Sequence, residues 1–329
     1  MLFKLLVLSV SFFSFAYGAN TIYITPGAWL RLFDIHDPFL NSDDQRQPTY
    51  LLKQTLEALG YTVKQADSLK DLVDVYCIIA FDIPFSQFND LLKYPIEKRF
   101  LFLWEPPSVI SENYNLHYHD YFSKIYTWKD DLVDNKKYFK FYYPVMHQMI
   151  EEIVPYSQKK LCTLIACNKS STHPDELYSA RKDVIMYFEE NHSEDFDFYG
   201  RWWGSYKNYR GSITRKVDVL KNYKFCICYE NIKNVSGYVT EKIFDCFWAG
   251  CIPVYWGASN ITDYIPQNCF INREHFTDND SLYYYLKNMS KEKYENYIFN
   301  IKQFLQTYAA KQYSKEYFVA LVLDCVLSL

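Results

Sequence analysis

The sequence predicts an α/β protein of two doubly wound domains that face each other across a cleft. Short apolar runs alternate with segments of helical apolar period, and the alternation starts afresh halfway along the 329-residue chain. Apolar runs without polar alternation are typical of strands buried on both faces of a parallel sheet. Strands that alternate with helices indicate such a sheet, flanked by helices. We place the junction between the two domains near residue 155.

The first α/β unit is assigned to residues 20–155. We expect a helix in QPTYLLKQTLEALGYTV, whose apolar period stops at Gly60, a residue type typical just after a helix end. The apolar runs expected as strands in this unit are 20–25, 74–81, 99–104 and 124–128.

The second unit is assigned to residues 156–329. Its expected helices are 175–191 and 241–249, and the chain after 280 is expected to form an amphipathic helical tail. The apolar runs expected as strands in this unit are 160–167, 196–200, 223–230 and 251–256.

Charge and composition bear on the class of partner. The formal net charge is −4 and no basic tract occurs, so a nucleic acid partner is not expected, because binding to a phosphate backbone needs clustered Lys and Arg. A small anionic ligand needs only a few local cations and stays open.

Residues 1–19 have the layout of a signal peptide. Lys4 precedes an apolar run from Leu5 to Phe15, and small residues follow at Ala16 and Gly18. The run is shorter than the ~20 residues of a membrane span. An uncleaved signal anchor, which would associate the protein with a membrane, is the alternative. Either segment predicts the secretory pathway or a membrane location, with a Golgi-like lumen if the source is eukaryotic.

A phosphate site is indicated where an apolar strand, 223–229, leads through a loop into an apolar helix. Thr240 is a suitable N-cap, and Lys242 lies in the first helical turn. Ligands of open α/β sheets bind beyond the carboxyl ends of the strands, and helix N-termini favour anions. A lysine at this end opposes the helix dipole, so an anion-binding role suits it better than helix stabilisation. An ordinary surface lysine is the alternative.

The stretch YKFCICYENIKNVSGYVTEKIFDCFWAGCIPVYWG (223–257) resembles the donor-binding motif of the α-1,3/4-fucosyltransferases, glycosyltransferase family ten. Segments 99–108 and 166–201 resemble two further regions of that family, in the same order. Tyr229 and Ile232 replace the usual Phe and Ser, and residues 1–95 match no part of the family pattern. The matching positions of the central motif are Glu230, Asn231, Tyr238, Thr240, Glu241, Lys242, Pro253 and Gly257.

The resemblance implies a GT-B fold and an inverting, metal-independent transfer of L-fucose from GDP-β-L-fucose to a hydroxyl of an oligosaccharide or glycoconjugate, with an α-1,3 linkage to GlcNAc or Glc. Residues 20–155 would then be the acceptor-side domain and 156–329 the GDP-fucose-binding domain. No cofactor is expected. Lys242 and Arg181 would stabilise the departing pyrophosphate, and Glu230 and Glu241 would accept hydrogen bonds from sugar or ribose hydroxyls. The donor-binding residues are thus Arg181, Glu230, Asn231, Tyr238, Thr240, Glu241 and Lys242.

Glu105 is the candidate catalytic base. It ends an apolar strand, and Pro106 and Pro107 stiffen the loop after it, which helps to fix the position that a base requires. A solvent-facing turn glutamate is the alternative.

Two other functions stay open at this point. Asp278-Asn279-Asp280 spells the DxD of metal-dependent GT-A transferases, although its polar surroundings favour a turn. A secreted carbohydrate-binding protein without catalysis could use the 32 Tyr residues as a sugar-binding surface, but gives Thr240-Glu241-Lys242 no role.

Overall fold

The computed structural model describes residues 19–27 and 31–329. The predicted signal segment therefore lies, apart from its last residue, outside the described part of the chain. Of the helices that these described residues form, none has the length and apolar character needed to cross a membrane.

The first half forms a six-stranded parallel sheet with the strand order β2-β1-β3-β4-β5-β6. Strands β1, β3 and β4 are almost completely buried, as their unbroken apolar sequences predict. The strands are β1 (Thr21–Thr25), β2 (Thr62–Gln65), β3 (Val75–Phe81), β4 (Arg99–Leu103), β5 (Lys124–Thr127) and β6 (Tyr138–Lys140). The helices are α1 (Gln47–Ala58), α2 (Phe88–Leu91) and α3 (Leu116–His119).

The second half forms a five-stranded parallel sheet with the order β11-β10-β9-β7-β8. Its strands are β7 (Lys160–Ile165), β8 (Phe196–Tyr199), β9 (Tyr223–Tyr229), β10 (Ile252–Trp256) and β11 (Ile271–Asn272). Its helices are α4 (Tyr178–Asn191), α5 (Lys216–Leu220), α6 (Glu241–Trp248), α7 (Asn279–Lys287), α8 (Lys291–Phe304) and α9 (Tyr308–Lys311), and the chain closes with α10 (Lys315–Leu327). The expectation of two parallel α/β sheets is confirmed.

Helix α10 does not stay with the second sheet. Its apolar residues join the core of the first domain, where the ring of Phe318 lies 6.0 Å from Phe102 and 6.2 Å from Trp104. The tail assigned to 156–329 by sequence thus ends in the core of the other domain. The helical period of the tail gave no indication of which sheet its apolar face would cover.

A half-buried polar cluster joins the two domains. Asp130, just after β5, accepts hydrogen bonds from Lys140 Nζ at 2.6 Å, Tyr264 OH at 2.5 Å and Asn260 Nδ2 at 2.9 Å. Beside it Gly237 has φ +82°, and a Cβ there would lie 2.2 Å from the carbonyl oxygen of Trp128. Only glycine permits this approach, which brings the loop before α6 against the first domain.

Candidate active site

A cleft of about 570 Å³ separates the carboxyl ends of the two sheets. Residues at the carboxyl ends of β4, β7 and β9 line this cleft. Ligands of parallel α/β sheets bind at these strand ends. Of the residues that the sequence singled out, the cleft wall includes Glu105, Arg181, Asn231, Tyr238, Thr240, Glu241 and Lys242.

Glu230 is the predicted donor-binding residue that does not line the cleft. Its side chain is fully buried behind the N-terminus of α6. It accepts hydrogen bonds from the Thr240 amide at 3.0 Å and from the Thr240 hydroxyl at 2.9 and 2.8 Å, and it lies 3.0 Å from Lys242 Nζ. Glu230 therefore holds Thr240 and Lys242 of the cleft wall in position. The sequence had suggested instead that Glu230 would accept a hydrogen bond from a ligand hydroxyl.

Thr240 occupies the N-cap position of α6, as predicted, but its hydroxyl does not cap the helix. The carboxylate of Glu230 engages that hydroxyl, because a buried carboxylate needs donors to compensate its lost hydration. The Thr240 hydroxyl is thereby engaged by Glu230 instead of by the amides of the first turn of α6.

Lys242 is the fixed cation of the cleft. Its Nζ lies 3.0 Å from Glu230 Oε2 and 3.4 Å from Glu241 Oε1. Burial alone would lower the pKa of Lys242, but the two carboxylates outweigh it and raise the pKa to about 12. The lysine stays charged and is held in one place, which suits it to an anionic ligand.

A second cation, Lys216 at the start of α5, supports the same helix from the other side. Its Nζ lies 2.6 Å from Asp245 Oδ2 and 3.9 Å from Glu241 Oε1. Burial opposes ionisation of Glu241, yet Lys242 and Lys216 lower its pKa to about 2. Burial raises the pKa of Asp245 to about 7 in spite of Lys216. Glu241 therefore presents a stable negative charge to the cleft.

The N-terminal domain reaches this group through Asp43. Its carboxylate accepts a hydrogen bond from the Lys216 amide at 2.7 Å and brings residues 42–46 to the cleft wall. Sequence reasoning missed Lys216, Asp245 and Asp43. Asp245 follows Glu241 by one helical turn and could have been found from that spacing. No local pattern marks Lys216 or Asp43.

Arg181 anchors the end of β9. Its Nη2 donates to the carbonyl oxygens of Tyr229 at 2.7 Å and Glu230 at 2.6 Å, and to Asn231 Oδ1 at 3.1 Å. Burial lowers the pKa of its guanidinium, which lies 5.0 Å from the ring centre of Tyr178. Arg181 thus holds the end of β9 in position and also lines the cleft.

Tyr238 is a buried wall residue with contacts to both domains. Its ring packs 4.6 Å from that of Trp128 in the first domain, and its hydroxyl accepts a long hydrogen bond, 3.5 Å, from Asn231 Nδ2. These contacts place Tyr238 and Asn231 side by side at the end of β9.

Glu105 stands on the opposite wall, just after β4. Its amide donates to Asp82 Oδ1 at 3.1 Å, and its carbonyl accepts from Tyr114 OH at 2.9 Å, so its main chain is held on both sides. Burial and the charge of Glu241 raise the pKa of the Glu105 carboxyl, while Lys242 lowers it. Glu105 as the catalytic base stays a prediction.

Asp82 holds the Glu105 segment and was missed by sequence reasoning. Besides Glu105, it accepts from the Trp104 amide at 2.7 Å and from Asn113 Nδ2 at 2.7 Å. Burial raises the pKa of this carboxyl to about 7. Its backbone has φ +62°, in the left-handed region that Asp adopts more often than most other non-glycine residues.

The Asp278–Asp280 stretch lies outside the cleft. Asp278 caps α7 by accepting from the Ser281 amide at 2.8 Å, and Asp280 accepts from Tyr187 OH at 2.6 Å. The predicted turn is thus the capping box of a helix. Within residues 19–27 and 31–329, no group of three or more His, Cys, Asp or Glu side chains is arranged to hold a metal ion. That transfer needs no metal stays a prediction.

Two facing parallel α/β sheets with a cleft between their carboxyl ends are the architecture of the GT-B fold. Residues 155–325 match the family model described as glycosyltransferase family 10 (fucosyltransferase), C-terminal. The chain belongs to this family.

Relatives with curated names match shorter stretches. The alpha-(1,3)-fucosyltransferase FucT of Helicobacter pylori is 35% identical over 91 residues, which cover 27% of this chain and 19% of that protein. The 4-galactosyl-N-acetylglucosaminide 3-alpha-L-fucosyltransferase 9 of Mus musculus is 33% identical over 140 residues, 42% of this chain and 35% of that one. The chain thus spans between about a fifth and about a third of the length of these relatives.

Solved structures agree in fold over almost the whole chain. An alpha1,3-fucosyltransferase with GDP superposes with a TM-score of 0.59 at 17% identity, covering 95% of this chain and 92% of the other. An alpha-glucosyltransferase in complex with UDP-glucose and DNA reaches a TM-score of 0.56 at 11% identity, covering 93% and 98%. Since the fold is shared by proteins solved with GDP and with UDP-glucose, the fold alone does not identify the donor.

Proposed function

We propose that the protein transfers L-fucose from GDP-β-L-fucose to a glycan hydroxyl, with inversion at the sugar carbon and without a metal ion. The observation that carries the proposal is the position of Lys242. Its Nζ lies between two carboxylates in the first turn of α6, on the cleft wall opposite Glu105. Family membership supports fucose as the transferred sugar, and the names of two relatives support an α-1,3 linkage, to N-acetylglucosamine in one of them.

In the proposed reaction the acceptor hydroxyl attacks the anomeric carbon of fucose as its bond to the β-phosphate oxygen breaks. Glu105 accepts the proton of that hydroxyl, and its raised pKa brings it closer to the range where a base is effective. GDP leaves with an additional negative charge. Lys242, the N-terminus of α6 and Arg181 stabilise that charge, and they do so most strongly as it develops.

The remaining wall residues would orient the donor. Glu241, with its lowered pKa, suits a hydrogen bond from the ribose or fucose hydroxyls. Tyr238, Asn231 and Thr240 border the place where the pyrophosphate would lie. Glu230 would act through Thr240 and Lys242.

The compartment of action is part of the proposal. The enzyme needs its nucleotide sugar on its own side of a membrane, so the predicted N-terminal signal favours a donor-supplied lumen of the secretory pathway. Fractionation of cells that express a tagged chain would locate it.

Calorimetry with GDP, GDP-fucose, UDP and UDP-glucose tests the donor, followed by product analysis with N-acetyllactosamine as acceptor. We expect binding of the guanine nucleotides and one fucosylated product per GDP released. Binding of UDP without GDP would contradict the proposal. Glycan binding without any turnover of donor would favour the non-catalytic carbohydrate-binding protein.

A further inference from the structure

An exposed tryptophan stands beside the cleft on a segment that contributes to its wall. Trp202 follows β8 and is 66% exposed, whereas its neighbour Arg201 lines the cleft. The backbone of Trp202 has φ +67°, a left-handed conformation that is rare for a bulky residue. Such conformations are costly for a bulky residue and cluster at active sites and ligand clamps.

The segment that carries Trp202 is firmly anchored. The Asn168 amide donates to the Arg201 carbonyl at 2.9 Å, and Asn168 Nδ2 donates to the Trp202 carbonyl at 3.1 Å. The next residue, Trp203, turns inward and donates from Nε1 to the Ala166 carbonyl at 2.7 Å. These bonds fix the backbone on both sides of Trp202, whose ring is exposed to solvent.

Trp202 lies toward the end of the cleft that holds Glu105. Lys169 links the two, because its Nζ lies 6.0 Å from the centre of the Trp202 ring and its positive charge lowers the pKa of Glu105. Lys169 also lines the cleft. Close by, the Ser171 hydroxyl donates to the Ser108 carbonyl at 2.9 Å and joins the loops that carry Lys169 and Glu105.

An indole face suits a sugar ring. Its π-electron density attracts the partly positive C–H bonds that line one face of a pyranose, as it attracts cations. The hydroxyls at the edge of the same sugar could accept hydrogen bonds from Lys169 Nζ. No hydrogen bond from the indole nitrogen of Trp202 to another residue is found in the described part of the chain, so this edge is also open to a ligand.

We propose that Trp202 and Lys169 form a subsite for the acceptor glycan, in which one sugar ring stacks on Trp202 beside the reacting hydroxyl at Glu105. The assignment rests on the proposed fucosyl transfer for its place in the reaction. It concerns binding of a carbohydrate to the free face of Trp202, which can be measured without transfer.

The test uses the full chain with Trp202→Ala, Trp202→Phe and the control Tyr308→Ala, a 71% exposed aromatic on α9 far along the sequence from the cleft segments. Each protein is applied to a glycan array in the presence of GDP, and GDP affinity is measured separately. We expect Trp202→Ala to lower glycan affinity by about tenfold or more, the effect of losing a central aromatic contact. Trp202→Phe should retain most of it, and Tyr308→Ala should match the wild type.

The outcomes separate this inference from the proposed function. GDP affinity should be the same for all four proteins, and its absence in the wild type would count against the donor assignment alone. Equal glycan binding by wild type and Trp202→Ala, or no glycan binding by the wild type, would overturn the subsite. A parallel loss of GDP affinity in Trp202→Ala would also overturn it, since Trp202 would then be a donor or structural residue.

Discussion

The buried carboxylate of Glu230 lies 3.0 Å from Lys242 Nζ and also holds the amide and hydroxyl of Thr240. One side chain, placed at the end of β9, therefore fixes both the cation and the first residue of α6. This explains how a lysine that opposes the helix dipole keeps one position. Glu230 stays out of the cleft and leaves the exposed side of Lys242 to the ligand.

Replacement of Glu230 by Ala should strongly reduce stability. It leaves Lys242 without one of its two partners and frees the Thr240 amide, and breaking a buried ion pair costs about 3–5 kcal/mol. Urea denaturation measures the free energy of unfolding, with the exposed Glu292→Ala on α8 as the matched control. A loss equal to that of the control would show that Glu230 does not stabilise the start of α6.

Replacement of Lys242 by Ala should weaken GDP binding. A hydrogen bond to a charged group contributes about 1.5–3 kcal/mol, which corresponds to a fall in affinity of roughly 10- to 150-fold. The carboxylate of Glu230, left without its ion-pair partner, would add repulsion of the pyrophosphate. Calorimetry with GDP measures the change. Unaltered affinity would place the pyrophosphate away from α6.

Asp82→Asn should change how stability depends on pH. Burial raises the pKa of Asp82 from 3.8 to about 7, so between these values the folded chain binds more protons here than the unfolded chain does. The stabilising contribution is complete below about pH 4 and is lost as pH rises through about 7. At about 1.4 kcal/mol per pKa unit, the wild type should lose up to about 3 kcal/mol from pH 5 to pH 8 through this group.

In Asp82→Asn that loss should be absent, because the amide oxygen still accepts hydrogen bonds but carries no charge. The free energy of unfolding is compared at pH 5 and pH 8 for wild type, Asp82→Asn and the exposed control Asp183→Asn. The same pH dependence in all three proteins would show that Asp82 does not titrate as its burial indicates.

Fucosyl transfer should survive EDTA and the change Asp278→Ala. Asp278 caps α7 and lies outside the cleft, so its loss should lower stability by about 1 kcal/mol, as for other N-caps, without altering turnover. Thermal unfolding and initial rates with and without EDTA check both statements. An Mn²⁺ requirement that disappears with Asp278 or Asp280 would favour the DxD alternative instead.

The fold could be predicted from the sequence because most of its strands are continuous apolar runs. The run YKFCICYE indicates a strand at 223–230, and β9 spans Tyr223–Tyr229. Helix α1 ends as expected, with Gly60 at φ +95° just beyond it. The edge strands β2, β6 and β11 were not predicted, since their sequences TVKQ, YFK and IN form no continuous apolar run.

Contacts between distant parts of the chain explain the rest of what sequence reasoning missed. The motif around Lys242 identified one wall of the cleft, and Glu105 identified the other. The supports from Asp82 and Lys216 depend on residues far apart in sequence, and so does the return of α10 to the first sheet. The motif singles out Glu230 at the end of β9, as found. Only the structure shows that its side chain is fully buried and contacts neighbouring residues of the wall.

The single-turnover rate of Glu105→Gln, with GDP-fucose and N-acetyllactosamine both saturating, tests the central claim most directly. The amide preserves the shape of the side chain and removes the base, so the rate should fall by about 10²- to 10⁴-fold, while GDP affinity stays within about twofold of the wild type. The single-turnover rate of Glu105→Asp, which keeps a carboxylate at a greater distance, should lie between the rates of the wild type and Glu105→Gln. A Glu105→Gln rate equal to that of the wild type, or a loss of GDP affinity with the chemical step intact, would contradict the assignment of Glu105 as the base.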